Sequence, residues 1–355
     1  MSLSLISLLF ASPAVHAADD VLPAPKPMVL IQSWATLSDQ DQDQVADPGG
    51  YGDPEDDPGF KLRRVRMGFE GRNDQVKYGV TAGMSSPYDV VEEAQGHDAD
   101  LHLVDAYGGF SPADGLWIVG GVQKVPVSRE ALISSGNLTF TERAVSTAWL
   151  TPSRDLGAVV DGRWKAFRLR LGAFNGGGDL RGDNNPGKLL AARAEANIGP
   201  GKTYRTHGKV DELTIGVGLD AWMNDDLSVK SSGLGGDAII RFDGLALLVE
   251  ARMNTLAPKE ELVATPGVLS ETQRQGILAQ LGYSVGAFEP AVRFSTLDDD
   301  TNLEDAGDVS EILGGVTWHS DKDQVRAGAG YVVRNESGQN VVPNDTLRAW
   351  FQIKL

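Results

Sequence analysis

Apolar and polar residues alternate with a period of two along most of the chain. In ELTIGVGLDAWM, Leu213, Ile215, Val217, Leu219, Ala221 and Met223 share one face. Thr214, Gly216, Gly218, Asp220 and Trp222 share the other. Such alternation is the mark of a half-buried β-strand. Its length exceeds that of an ordinary globular strand and suits a strand crossing a membrane, which needs about 9–11 tilted residues. The pattern recurs in AFRLRLGAF, LALLVEARMN, GILAQLGYSV and VRAGAGYVV. Segments of this kind begin near residues 28, 60, 75, 101, 116, 143, 156, 166, 189, 212, 237, 245, 275, 288, 310, 325 and 345. The weakest, LGAVVDG at 156–162, reads as a continuation of the segment at 143, which leaves about sixteen strands.

The connections alternate in length. Short ones fall at 73–74, 111–115, 243–244 and 320–323. Long ones fall at 38–59, 85–100, 125–142, 175–188, 257–271 and 298–309. Short turns at one end and long loops at the other are the pattern of an outer-membrane barrel. The final stretch, DTLRAWFQIKL, puts Leu347, Ala349, Phe351, Ile353 and Leu355 on one face, as a closing barrel strand does, although Leu355 replaces the usual terminal aromatic. A water-soluble sandwich also alternates. Strand length, an even strand count, few aromatics (7%) and many plain Val, Leu, Ile and Ala residues favour an all-β, transmembrane antiparallel barrel.

That architecture interprets FKLRRVRMGFEGR at 60–72. Val65, Met67 and Phe69 face lipid, while Arg64, Arg66, Glu70 and Arg72 face a water-filled interior, because charge toward hydrocarbon is costly. Lys61 and Arg63 share the lipid-side parity, and their place at the strand end lets them reach the headgroup zone.

Charge changes the picture in one respect. The 355-residue chain carries a formal charge of −17. Residues 38–59, 89–100 and 298–308 hold nineteen of its 49 acids and no Lys or Arg, leaving thirty acids against 32 bases elsewhere. The acidity therefore belongs to loops and not to the strands. None of these runs has the twelve-residue spacing of a calcium loop. The first seventeen residues, MSLSLISLLFASPAVHA, read as an export signal with an apolar core and a small-residue cleavage site. The absence of cysteine excludes disulfides, thiol nucleophiles and zinc ribbons.

Residues 121–157 resemble the phosphate-selective porin (O and P type) family. The resemblance is carried by Gly121, Lys124 and Pro126, by Ser128 to Ala131, by Glu142-Arg143, and by Arg154 with Gly157. LRRVRMGFEGR and LGAFNG resemble it too, so the likeness covers roughly 60–180. It implies a sixteen-stranded barrel, usually a homotrimer in outer-membrane lipid, whose third long loop folds inward as a constriction. By position that loop is 125–142. The resemblance further implies passage of small anions such as phosphate, or other small hydrophilic solutes, along an inward ladder of bases. By strand parity the ladder comprises Arg64, Arg66, Arg72, Arg168, Arg170, Arg193, Arg252, Arg293, Arg326 and Arg348, with Lys124, Arg129 and Arg143 at the constriction. Departures exist. There is no lysine run, the loops are acidic, and Glu195 and Glu250 stand two residues from Arg193 and Arg252, spaced for wall crosslinks as well as for ion sites.

No catalytic motif and no cofactor signature occurs, and after the export signal only His97, His102, His207 and His319 remain. The dispersed arginines and acidic loops argue against nucleic acid. Three readings stand: a diffusion porin, a structural or adhesive barrel with a plugged lumen, and an exported soluble sandwich.

Overall fold

The computed structural model describes residues 22–38, 59–85, 100–178, 187–226, 229–259, 271–304, 307–337 and 345–355. The first seventeen residues, expected from the sequence to be an export signal, and most of the two acidic runs at 38–59 and 89–100 lie outside them. Sixteen strands among the described residues close into one antiparallel barrel in which each strand pairs with its neighbours in sequence. They are β1 (Lys26–Ser38), β2 (Gly59–Arg72), β3 (Val76–Ser85), β4 (Asp100–Ala113), β5 (Leu116–Lys124), β6 (Arg154–Trp164), β7 (Phe167–Phe174) and β8 (Leu189–Ile198). The second half comprises β9 (Thr214–Asp225), β10 (Val229–Phe242), β11 (Leu245–Pro258), β12 (Thr272–Tyr283), β13 (Phe288–Leu297), β14 (Val309–His319), β15 (Val325–Glu336) and β16 (Thr346–Lys354). Closure is made by β16 against β1, where Leu355 N–H donates to the Val29 carbonyl at 3.0 Å.

Alternation decides which way each side chain points. Leu219, Met223, Leu234 and Met253 are all more than half exposed on the outer wall, an apolar surface suited to lipid. Their neighbours Asp220, Asp237, Glu250 and Arg252 are buried on the inner side. Tight turns join strands at one end. Asn73 accepts from the backbone N–H groups of Gln75 and Val76 at 2.9 and 2.7 Å, a side-chain-stabilised turn. Asp243 and Gly244, both at positive φ (44° and 84°), form the two-residue hairpin that the strand twist favours.

Two details differ from the sequence reading. The segment at 143 is no strand: Val145–Leu150 is a short helix, and β6 beginning at Arg154 is a full strand in its own right. VSTAWL mimics a strand because its β-branched residues and its apolar ends pack inside the barrel, where burial outweighs local β preference. The second difference is Arg63. A β-bulge shifts the β1–β2 register between Gln32 and Ser33, so that Gln32 pairs with Arg64 and Ser33 with Leu62. The extra residue flips parity, and both Arg63 and Arg64 are buried against the lumen side, not in the headgroup zone.

Candidate functional site: the lumen and its two inward segments

Residues 125–153 join β5 to β6 and cross the lumen. They contain two short helices, α1 (Arg129–Leu132) and α2 (Val145–Leu150), with a 3-10 turn at Ser135–Asn137. Ser128 caps α1, its Oγ accepting from Ala131 N–H at 3.0 Å. The same hydroxyl donates to Glu250 on β11 at 2.7 Å, and the Ser128 and Glu130 N–H groups donate to Asp220 and Glu250 at 2.9 and 2.6 Å. Arg129 donates to Asp237 on β10 at 2.6 Å. On the other side of the barrel, Arg63 meets Glu142 through two parallel hydrogen bonds of 3.0 and 3.1 Å, and Arg64 donates to Glu142 and to the Thr141 carbonyl at 3.0 and 2.9 Å. Arg326 on β15 donates to the Leu138 carbonyl at 2.7 Å, and Arg293 on β13 to the Glu142 carbonyl at 2.7 Å.

Inward apolar residues explain why the segment stays inside. Val125 and Val127 cover Val159, Phe174, Leu189 and Ala191. Phe140 covers Trp34, Leu313, Val332 and Trp350, and Ala144 covers Ile239, Leu248 and Leu278. Without the segment these wall residues would face water. Burial alone would raise the Glu142 carboxyl, but the Arg63 and Arg64 guanidinium groups hold it well below the usual carboxylate range. Burial, with Arg64 nearby, brings Arg143 down to about 10. Arg143 and Lys124 both donate to the Ile133 carbonyl, each at 2.8 Å.

A second segment, 199–213, enters from the short-turn end. Thr206 N–H donates to the Asn137 carbonyl at 3.2 Å, Thr139 N–H donates to Thr206 Oγ1 at 2.8 Å, and Arg129 donates to the Thr203 carbonyl at 3.3 Å. Arg241 on β10 holds its backbone through the Lys202, His207 and Gly208 carbonyls. The sequence reading passed over this segment. Its one signal was GPGKTYRTHGK, a run without alternation at an end where the other connections are short.

Between these segments and the wall runs a belt of ion pairs. Arg168 pairs with Asp161, Arg170 with Glu195, Arg193 with Glu195, Asp220 and Asp237, and Arg252 with Asp220. Gly218 and Gly235 leave the space that the Arg193 and Arg252 guanidinium groups occupy. Of the ladder expected from the sequence, Arg129, Arg193, Arg252, Arg293 and Arg326 are thus buried, four of them against carboxylates and Arg326 against carbonyls and Gln352. The spacing of Arg193 with Glu195 makes the anticipated crosslink, whereas Arg252 meets Asp220 more closely than its strand neighbour Glu250.

The open lumen lies along β2–β7. A cavity of about 720 Å³ is lined by nine basic side chains, including Arg66, Arg72, Lys77, Lys124, Arg168 and Arg170, against three acids, Glu70, Asp105 and Asp161. It shares Arg72, Lys77, Asp161 and Arg168 with a second cavity of about 380 Å³ toward the short-turn end. Arg154 is neutralised by Asp105 at 2.9 Å and Arg168 by Asp161 at 2.7 Å. Among the described residues, Arg66, Arg72, Lys77 and Lys124 have no carboxylate within ion-pair distance. Arg66 donates to Ser135 Oγ at 3.3 Å, and Arg72 and Lys77 sit 4.8 Å from the Trp117 ring centre. These four leave the lane positive.

A closed barrel with an apolar outer wall, a charged lumen and a chain segment folded across it defines an outer-membrane porin. The chain matches the model of the phosphate-selective porin O and P family over residues 37–213. Its setting is accordingly the bacterial outer membrane, and the family and fold are those of a channel rather than an enzyme. An uncharacterised protein of Aquifex aeolicus (strain VF5) is 24% identical over 332 residues, 80% of this chain and 75% of that one. Among solved structures, the trimer form of Vibrio cholerae OmpT is similar at a TM-score of 0.63 with 10% identity, over 94% of this chain and 100% of that one. An anion-selective porin from Comamonas acidovorans gives 0.62 with 10% identity, over 94% and 99%. The DcaP channel of Acinetobacter baumannii gives 0.58 with 14% identity, over 93% and 97%.

Proposed function

We propose that this porin passes small anions, phosphate among them, through the basic lane along β2–β7, and that segment 125–153 is its constriction. The observation that carries the reading is the lane's uncompensated charge at Arg66, Arg72, Lys77 and Lys124. Like-signed groups lining a pore set the sign of the ions it admits, and guanidinium groups match phosphate oxygens in paired geometry. The buried arginines of the belt act in this reading as scaffolding: their charge is cancelled where they stand. The anion selectivity of the Comamonas porin and the trimer of OmpT accord with it, and we infer a homotrimer here as well.

The test is the reversal potential of the refolded protein in a planar bilayer under a KCl gradient. An anion-selective sign is expected, reversed or abolished by the double variant R66E/K77E. Lys209→Glu, outside the lane, should leave the sign unchanged. A cation-selective wild type would overturn the anion reading. No conductance from a folded barrel would instead favour a structural barrel with a plugged lumen.

A further inference from the structure

His207, His319 and Asp323 converge at the short-turn end of the barrel, outside the lining of the basic lane. Each offers one ligand atom within 4.8 Å of the others. The two imidazoles stack with centroids 5.3 Å apart. His319 Nδ1 lies 2.7 Å from Asp323 Oδ1, and His207 Nδ1 lies 3.8 Å from Asp323 Oδ2. A tetrahedral ion with bonds of about 2.0–2.2 Å spaces its ligands about 3.3–3.5 Å apart. The two separations bracket that spacing.

Three further observations point to a cation. The Nε2 atoms of His207 and His319 are buried without a hydrogen-bond partner, and His207 as a whole is 0% exposed. Glu289 Oε2 stands 3.8 Å from His319 Nε2. If His319 Nδ1 takes a metal, its proton moves to Nε2 and faces that carboxylate, the backing that metal-bound histidines commonly have. Finally, a cation already sits between two of the donors. Arg205 donates through Nη2 to Asp323 Oδ2, and the same nitrogen is 3.3 Å from His207 Nδ1.

We propose that His207, His319 and Asp323 bind a divalent transition-metal ion of the zinc class, in competition with the Arg205 guanidinium. Two imidazole nitrogens and one carboxylate suit zinc. Calcium and magnesium prefer all-oxygen sets. Three protein ligands leave a fourth position for water. The bound ion would fasten the inward segment 199–213 to the β14–β15 turn, and so steady the Thr206–Thr139 contact above it.

The experiment is a calorimetric titration of the refolded, chelator-stripped full chain in detergent with ZnCl2 alone. One ion per chain is expected. H207A and H319A should each weaken binding at least about tenfold, a loss comparable to or larger than that from removing an outer-shell partner, and R205Q should tighten it. Because His207 is buried, D323N at the turn serves as the second ligand variant, with heat-dependent gel mobility confirming a folded barrel for each. Binding by R205Q alone would still support the site, with Arg205 the stronger competitor. The proposal is overturned if neither wild type nor R205Q binds zinc, if H319A and D323N bind as wild type does, or if MgCl2 binds equally well.

Discussion

Arg129 Nε stands 2.6 Å from Asp237 Oδ1, and both side chains are shut away from water. This pair fixes the tip of the inward segment to the wall at β10. Without Arg129, Asp237 keeps Arg193 as a partner, so the loss should fall below the roughly 3–5 kcal/mol of a buried charge left wholly unpaired. Arg129→Met should still lower the urea midpoint of the refolded barrel and release the tip, giving larger and noisier single-channel currents. Pairing it with Asp237→Leu should recover part of the loss, because the two changes touch one interaction. Strict additivity in that double-variant cycle would show that the pair does not hold the segment.

The other anchor of the segment responds to acid. Glu142 has a folded-state pKa held below its unfolded value of 4.5 by Arg63 and Arg64. A carboxyl depressed in this way contributes stability that is complete above its unfolded pKa and is lost as pH falls toward the folded one. The anchor should thus weaken from about pH 4.5 downward. E142Q should be less stable than wild type at pH 7, since Arg63 and Arg64 lose their counter-charge, and the gap should narrow as pH falls. Urea midpoints of both proteins between pH 7 and pH 3 measure it. A constant gap across that range would remove Glu142 as the acid-sensitive anchor.

The barrel itself was legible because lipid on one side and water on the other impose a period of two along most of the length of its strands. Residues 213–223 show it plainly. The partners of the inward charges were not legible. Arg193 meets Asp220 across 27 positions and Arg129 meets Asp237 across 108, and such pairings depend on strand register and on where a loop folds back. The bulge beside Arg63 escaped notice for a related reason: one inserted residue flips parity without altering composition. Lys77 was missed as a lane residue because a single lysine in VKYGVTAGM carries no pattern, although its register partner Arg72 had been read as inward.

Thr206 is the meeting point of the two inward segments. It offers its hydroxyl to Thr139 N–H at 2.8 Å inside the barrel. Thr206→Val keeps the volume but leaves that buried donor without an acceptor, at a cost of about 1–3 kcal/mol. The expected outcome is a lower urea midpoint with ion selectivity unchanged, because Thr206 lies outside the lane lining. A shift in reversal potential would instead mean that segment 199–213 shapes the permeation path directly.

Phosphate itself tests the lane more sharply than chloride does. Arg66 has only a 3.3 Å bond to Ser135 Oγ, so its guanidinium is available to a passing anion. It lines the same cavity as Lys124. An anion that binds two such groups at once dwells longer than chloride, and a dwelling ion obstructs those behind it. Adding inorganic phosphate to a KCl-bathed channel should therefore reduce the current in a saturable way. Arg66→Gln should raise the half-blocking concentration several-fold, in line with the roughly 1.5–3 kcal/mol that a charged hydrogen bond can contribute, less what water recovers in an open lane. Arg252→Lys, a change within the paired belt, should leave the block as it is. Equal block of both variants and wild type would place phosphate binding elsewhere in the pore, and no block at all would mean that the lane passes anions without retaining this one.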